Sequence, residues 1–237
     1  REFQEGIWQW SVEGVLAVLV LILLTAWFVW CYIKGGVPFW IGLPLVFLIA
    51  VTVYATSMIY ASLKTVACWH HPLTPTCYLM FSVSGGLLAS MWLLAVAGQS
   101  FISEIYHLTY CLLILAWLAK GFWWRNLDKK PLESTLESAT GLGRFGKVRP
   151  LMPPHTSENY LQTEMGFVVA RRHAIKLRVL SILSGGLIPL VLFIFYPASP
   201  VLLGLALSFH FVGVFIERWL FFAEAKHVVS LYYGEGH

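Results

Sequence analysis

The chain has 237 residues, 58% of them hydrophobic and 12% charged, with a mean hydropathy of +0.73. Soluble domains carry roughly 25% charged residues, so this composition excludes an ordinary water-soluble globule and places the chain in a bilayer. The net charge of +4 is modest; its distribution matters more than its sum, and no nucleic-acid partner is expected.

Eleven Trp and ten Tyr suit the aromatic belts that anchor helices at both membrane interfaces. Cys31, Cys68, Cys77 and Cys111 are scattered without a C-x-x-C pair, so neither a disulfide framework nor a zinc site is expected. The chain opens on Arg1 with no Met and no signal-peptide pattern, and is expected to be incomplete at its N-terminus.

A bilayer span needs about 20 mostly apolar residues. The first runs from about Ile7 to Ile33 and is broken by Lys34-Gly35-Gly36-Val37-Pro38. The second, about Phe39 to Leu63, has a polar second half that should face other helices. A turn stiffened by Pro72 and Pro75, CWHHPLTPTC, leads to the third span, about Tyr78 to Ala97. Its Ser82, Ser84, Gly85 and Gly86 permit close helix approach. The fourth, about Phe101 to Trp124, closes on Phe122-Trp123-Trp124.

After a soluble stretch, the fifth span (about Leu177 to Tyr196) repeats Ser-Gly-Gly, and Pro197 to Pro200 turn into the sixth, about Val201 to Phe222. The fold class is therefore all-α, a polytopic transmembrane helix bundle. It divides into residues 1–124 (four spans), 125–176 (a basic loop) and 177–237 (two spans with a C-terminal tail).

Eleven of the sixteen Lys and Arg lie between Lys120 and Arg178. The positive-inside rule puts that loop in the cytoplasm. The N-terminus, the Lys64 to Cys77 turn and the Ala223 to His227 segment then share the cytoplasmic face.

GLGRFG (Gly141 to Gly146) matches the dinucleotide fingerprint in letters, yet no βαβ unit fits around it; it reads as a glycine-rich loop that docks on a partner. His107 and His210 lie inside spans, where an ionisable group is a functional hypothesis by default. At 1.5 Å per residue their depths differ by about 5 Å, so they could ligate one b-type haem. Alternatively each is hydrogen-bonded within the bundle, His107 to Glu104 or Tyr110 for example.

Trp69, His70, His71, Glu217, Arg218 and His227 gather at the cytoplasmic interface, with Glu224 nearby. A quinone needs an apolar slot, a donor at each carbonyl and a route for protons, which such residues supply. Interface snorkelling, helix capping and simple Glu217–Arg218 pairing are the plainer readings. No hydrolase triad, Walker loop or gated pore is evident, and the acids in spans two to six, Glu104 and Glu217, are too few for a clear ion path.

Tyr60 with CWHHPLTPTCYLMFSVSGG (Cys68 to Gly86), the stretch from Glu137 to Arg178, and ERWLFFAEAKHVVSLYYG (Glu217 to Gly234) resemble the DmsC-type membrane anchor of dimethyl sulfoxide reductase and its relatives. The similarity spans nearly the whole chain. It implies eight helices, the first two preceding Arg1, and with them a family quinol-linked histidine that has no counterpart here.

The resemblance further implies a heterotrimer with a molybdopterin catalytic subunit and an iron–sulfur subunit, exchanging electrons with ubiquinone or menaquinone in the bacterial inner membrane. The basic loops point to the branch with cytoplasmic catalytic subunits, the SoeC-type sulfite dehydrogenase anchors. Electrons would then pass from sulfite to quinone, with Arg144, Lys147, Arg149, Arg171 and Arg172 as the docking surface. The rivals are an anchor drawing on quinol for dimethyl sulfoxide or polysulfide reduction, and a non-redox transporter or structural anchor.

Overall fold

Backbone in lipid must satisfy its own hydrogen bonds, so apolar runs fold as helices. A computed structural model describes residues 2–99, 103–129, 135–149, 151, 168–196 and 199–225, with side chains from residue 12 onward except Val168. The helices are α1 (Glu2–Lys34), α2 (Phe39–Ala61), α3 (Leu73–Val96), α4 (Ser103–Lys129), α5 (Leu136–Thr140), α6 (Val168–Arg172), α7 (Ala174–Ile182), α8 (Ile188–Phe195) and α9 (Pro200–Ala223). A single π-turn, Leu183–Leu187, joins α7 to α8 into one continuous span. No strand occurs among the described residues. Six helices are long and apolar enough to cross a membrane, as the hydrophobic runs predict.

Short reversals at Gly35, whose φ of 66° suits glycine, and at Ser199 alternate the helix directions. The ends of α2, α4 and α9 therefore lie with the starts of α3 and α7 at one end of the bundle, here termed the loop-bearing end. Lys120 corrects the sequence reading that counted it among the loop cations. It is 1% exposed inside α4, nine residues before the helix ends.

At the centre α9 packs against α3, α7, the π-turn and α8, while α1 packs chiefly on α2. Three glycines make the central contact possible. A Cβ on Gly213 would collide with the backbone of Gly185, and one on Gly185 with the Trp117 ring. The Gly185 carbonyl, in the widened turn, accepts from Trp117 Nε1 at 2.9 Å and from His210 Nδ1 at 2.7 Å. On the other side of the same imidazole, a Cβ on Gly85 would stand 3.3 Å from Nε2. The two Ser-Gly-Gly runs thus flank one histidine, which gives their repetition a packing reason.

In the basic loop, Thr135 and Ser138 form a capping box at the start of α5. Gly141 (φ 67°) ends the helix in the left-handed region, where glycine is favoured. Gly143–Phe145 form a 3-10 turn, and the Glu137 carboxylate accepts from the Val148 amide at 3.2 Å. The glycines of GLGRFG serve this turn geometry. Backbone donors hold the Glu137 carboxyl below the usual carboxylate range.

Gly213→Ala should destabilise the bundle by about 1–3 kcal/mol through overpacking. Gly86→Ala is the control: an added Cβ there meets nothing within 4 Å, and should be neutral or slightly stabilising. Thermal unfolding of the purified variants in detergent checks this; equal midpoints for the two would remove the role assigned to the α9–π-turn contact.

Candidate functional site

The loop-bearing end holds a charge cluster inside an aromatic shell. Glu217 of α9 is fully buried, and α4 sets the buried Lys120 against it, with Nζ 2.5 Å from Oε1. Arg218, the next residue of α9, closes on the same carboxylate through Nε to Oε2 at 2.5 Å and Nη2 to Oε1 at 2.8 Å. Two cations thus share one carboxylate. Removing such ions from water costs several kcal/mol each, and only tight pairing offsets it.

Rings complete the solvation. Lys120 Nζ lies 3.4 Å from the Trp123 ring centroid, and the Arg218 guanidinium 4.2 Å from that of Tyr78. Both are cation–π contacts, that of Lys120 fully buried and that of Arg218 partly so. Arg218 Nη1 is buried without a hydrogen-bond acceptor among the described residues.

The turn after α2 forms the lid. Trp69 Nε1 donates to the Phe221 carbonyl at 2.9 Å and its ring stacks on Phe221 at 5.5 Å. Thr74 Oγ1 donates to the Trp69 carbonyl and accepts from Trp123 Nε1. These bonds tie the turn to α4 and α9 at once. Tyr60 lies 5.3 Å from Trp69 and 6.1 Å from Tyr78 between ring centroids. Thr56, one helical turn before Tyr60, donates to Glu13 of α1 at 2.6 Å.

A second ion group sits beside the first. Arg178 of α7 grips Asp128 of α4 through both terminal nitrogens, at 2.7 and 2.9 Å, and reaches Glu224 at 2.7 Å. Glu224 lies just beyond the last residue of α9 and outside the span. Burial pushes its carboxyl above the usual range, against the opposing pull of Arg178.

Of the sequence-predicted quinone residues, Trp69, Glu217 and Arg218 converge in this cluster. His70 is exposed, its Nδ1 donating to the Ala61 carbonyl at 2.6 Å, where it caps the end of α2. His71 Nδ1 accepts from the Leu73 amide at the start of α3. His227 lies outside the described residues, as does the Pro150 to Pro154 stretch apart from Leu151.

Arg144, Lys147, Arg149 and Arg172 are exposed. Arg171 is half-buried, donating to the Ala223 and Ala225 carbonyls at 2.9 and 3.2 Å. That places its positive charge at the negative end of α9. Sequence reasoning missed Lys120, Tyr78 and the Arg178–Asp128 pair. The signal for Lys120 was its position, a lone cation inside an apolar run four residues before Trp124.

The histidines do not fit a shared haem. His107 lies on an exposed face with Nδ1 3.0 Å from the Tyr110 hydroxyl. His210 is 1% exposed, its Nδ1 bonded to Gly185 and its Nε2 pressed against Gly85. An iron on Nε2 would have to displace the α3 backbone. Similar depth along two helices says nothing about which way each ring points.

No protein-family model matches the chain, and no solved structure matches it. The chain is 28% identical over 192 residues to a sulfite dehydrogenase subunit (designated C) of Allochromatium vinosum. The alignment covers 75% of this chain and 55% of that protein, so the chain spans about half the length of the curated relative it matches.

Glu217→Gln should leave Lys120 buried without its counter-ion and cost about 3–5 kcal/mol. Adding Lys120→Met removes the stranded charge and should recover most of the loss. Thermal midpoints and membrane yields of the single and double variants provide the check. A single variant as stable as the parent would mean that Glu217 does not neutralise Lys120.

Proposed function

We propose that this chain is the membrane subunit of a sulfite dehydrogenase, receiving electrons from an iron–sulfur partner and reducing quinone at the loop-bearing end. The observation that carries the reading is the likeness to the Allochromatium vinosum sulfite dehydrogenase subunit over 75% of the chain. The geometry supports it with a buried, net-cationic, aromatic-walled cluster at the end where the soluble loops gather. There Trp69, Tyr78, Glu217 and Arg218 would bind quinone, and the positive excess favours a ring that gains electrons. Arg218 Nη1 is the donor suited to a quinone carbonyl. His227 is kept as a quinone-site candidate on the sequence alone.

The chain's own side chains would bind and orient the quinone, exclude water and manage protons; the redox groups, molybdopterin and iron–sulfur clusters, would belong to the partners. The crowding of Lys and Arg at this end supports a cytoplasmic side for the loops and soluble subunits, in a bacterial inner membrane.

The docking surface consists of Arg144, Lys147, Arg149 and Arg172 together with apolar groups outside the spans. Phe145 is 75% exposed and Leu151 fully so, and Arg144 lies 4.9 Å from the Phe145 ring centroid. Exposed apolar groups rimmed by cations suit a protein partner with an acidic face. Arg171 is excluded from this surface because it already caps α9.

The test of function is sulfite-dependent quinone reduction in membranes with and without the chain. Activity that requires the chain is expected; quinol-driven sulfoxide reduction in its place would reverse the direction proposed. For docking, the triple change Lys147→Glu, Arg149→Glu, Arg172→Glu should release the soluble subunits from membranes while the anchor itself accumulates normally. A fully retained complex would sink the docking surface.

A further inference from the structure

Beside the ion cluster lies a carboxyl that neither quinone binding nor docking uses. Glu224 is 9% exposed. Arg178 occupies its Oε1 at 2.7 Å, whereas Oε2 is buried and meets no hydrogen-bond donor among the described residues. Trp124 Nε1 is likewise buried with no acceptor among the described residues, and the Arg178 guanidinium lies 5.6 Å from the Trp124 ring. The buried acceptor thus belongs to the residue that Arg178 holds and the buried donor to the ring that Arg178 borders; buried polar groups left in this way are the kind that bound water meets.

The neighbours of Glu224 form a gradient from solvent to interior. On the outer side Arg178 also holds Asp128, whose side chain is 58% exposed. On the inner side the Trp124 ring that Arg178 borders at 5.6 Å also lies 5.3 Å from Lys120 Nζ, and Lys120 itself contacts Glu217. Beyond Glu217 stand Arg218 and Tyr78. Among the described residues, the titratable and charged groups around Glu224 are thus Arg178 from α7 with Asp128 and Lys120 from α4. Arg171 from α6 binds the carbonyls on either side of it.

We propose that Glu224 is the proton-relay carboxyl of the quinone-reducing end, taking protons at Oε2 from the loop-bearing surface and passing them inward through the Lys120–Glu217 pair. The proposal rests on the functional reading above. Sulfite and water give sulfate, two protons and two electrons at the soluble subunits. Those electrons with two protons from solvent convert quinone to quinol, and Glu224 handles the proton part alone. Burial raises its carboxyl above the usual carboxylate range, against the opposing pull of Arg178 and Lys120. The relay is loaded at low pH and empties as pH rises through the Glu224 pKa.

The test uses the assembled complex in membranes, comparing the parent with Glu224→Gln and Glu224→Asp across pH. Sulfite–quinone turnover is normalised to sulfite–ferricyanide turnover, which reports the soluble subunits and takes no proton from this chain. Glu224→Gln should slow normalised quinone reduction about tenfold or more and flatten the pH profile, while Glu224→Asp should retain a shifted profile. A Glu224→Gln profile that matches the parent overturns the relay while leaving the functional reading intact. A parent complex that turns over ferricyanide but no quinone overturns the functional reading, and the relay with it. Equal loss in both variants with the parental profile shape preserved assigns Glu224 a purely structural role and also overturns the relay.

Discussion

A carboxylate cannot stand alone in an apolar helix bundle, and the loop-bearing end is built to meet that constraint at Glu217. Its two oxygens need cations, which among the described residues α4 and the next residue of α9 supply. The pairing fixes the rotation of α4 against α9, because Lys120 must point inward where an apolar residue would otherwise pack. Trp123, Phe221 and Tyr78 then take the places that water would hold around the cations. Once these rings are set, Trp69 has one surface to stack on, and the turn after α2 follows. Replacing the triad with apolar groups of like volume could keep the bundle folded, so stability alone does not account for its presence. A net positive charge enclosed near the soluble loops suits a site that must accept negative charge.

Near the bundle centre the close approach of α9 to the fifth span is a matter of shape. Gly213 and Gly185 let backbones touch, and the π-turn frees a carbonyl for Trp117 and His210. Contacts of this kind drive helix association in lipid, where burial of apolar surface supplies little. The two ends of α9 therefore use different physics: small residues and one buried imidazole near the middle, charge pairing at the loop-bearing end.

Helix number, order and direction were legible in the sequence, because a run of about 20 apolar residues admits few structures. Glu217 and Arg218 were legible as candidates because charge is rare in spans. Lys120 was not: counted by type and position it belonged to the basic loop, and only its rotation about α4 shows that it faces inward. The same limit holds for His107 and His210, since depth along a helix is readable from spacing but azimuth is not when apolar residues cover every face. Arg171 shows a third limit. A cation after a long polar loop looks like surface charge, yet α9 ends with carbonyls that need a donor, and the fold brings Arg171 to them.

For the proposed quinone reduction, the two ion groups divide the work that electron arrival creates. A quinone gaining an electron becomes an anion, and the excess charge of Lys120 and Arg218 over Glu217 lowers the energy of that state before any proton moves. The same positive field opposes the entry of a free proton, so protons must come by a carrier that is neutral when loaded. A protonated carboxyl meets that requirement and an arginine does not. Glu224 shares Arg178 with the exposed Asp128, and Arg178 borders the Trp124 ring on which Lys120 also lies, so a neutral carboxyl there stands between solvent and the cationic interior. The field that favours the electron thus dictates that its proton be delivered by a buried acid.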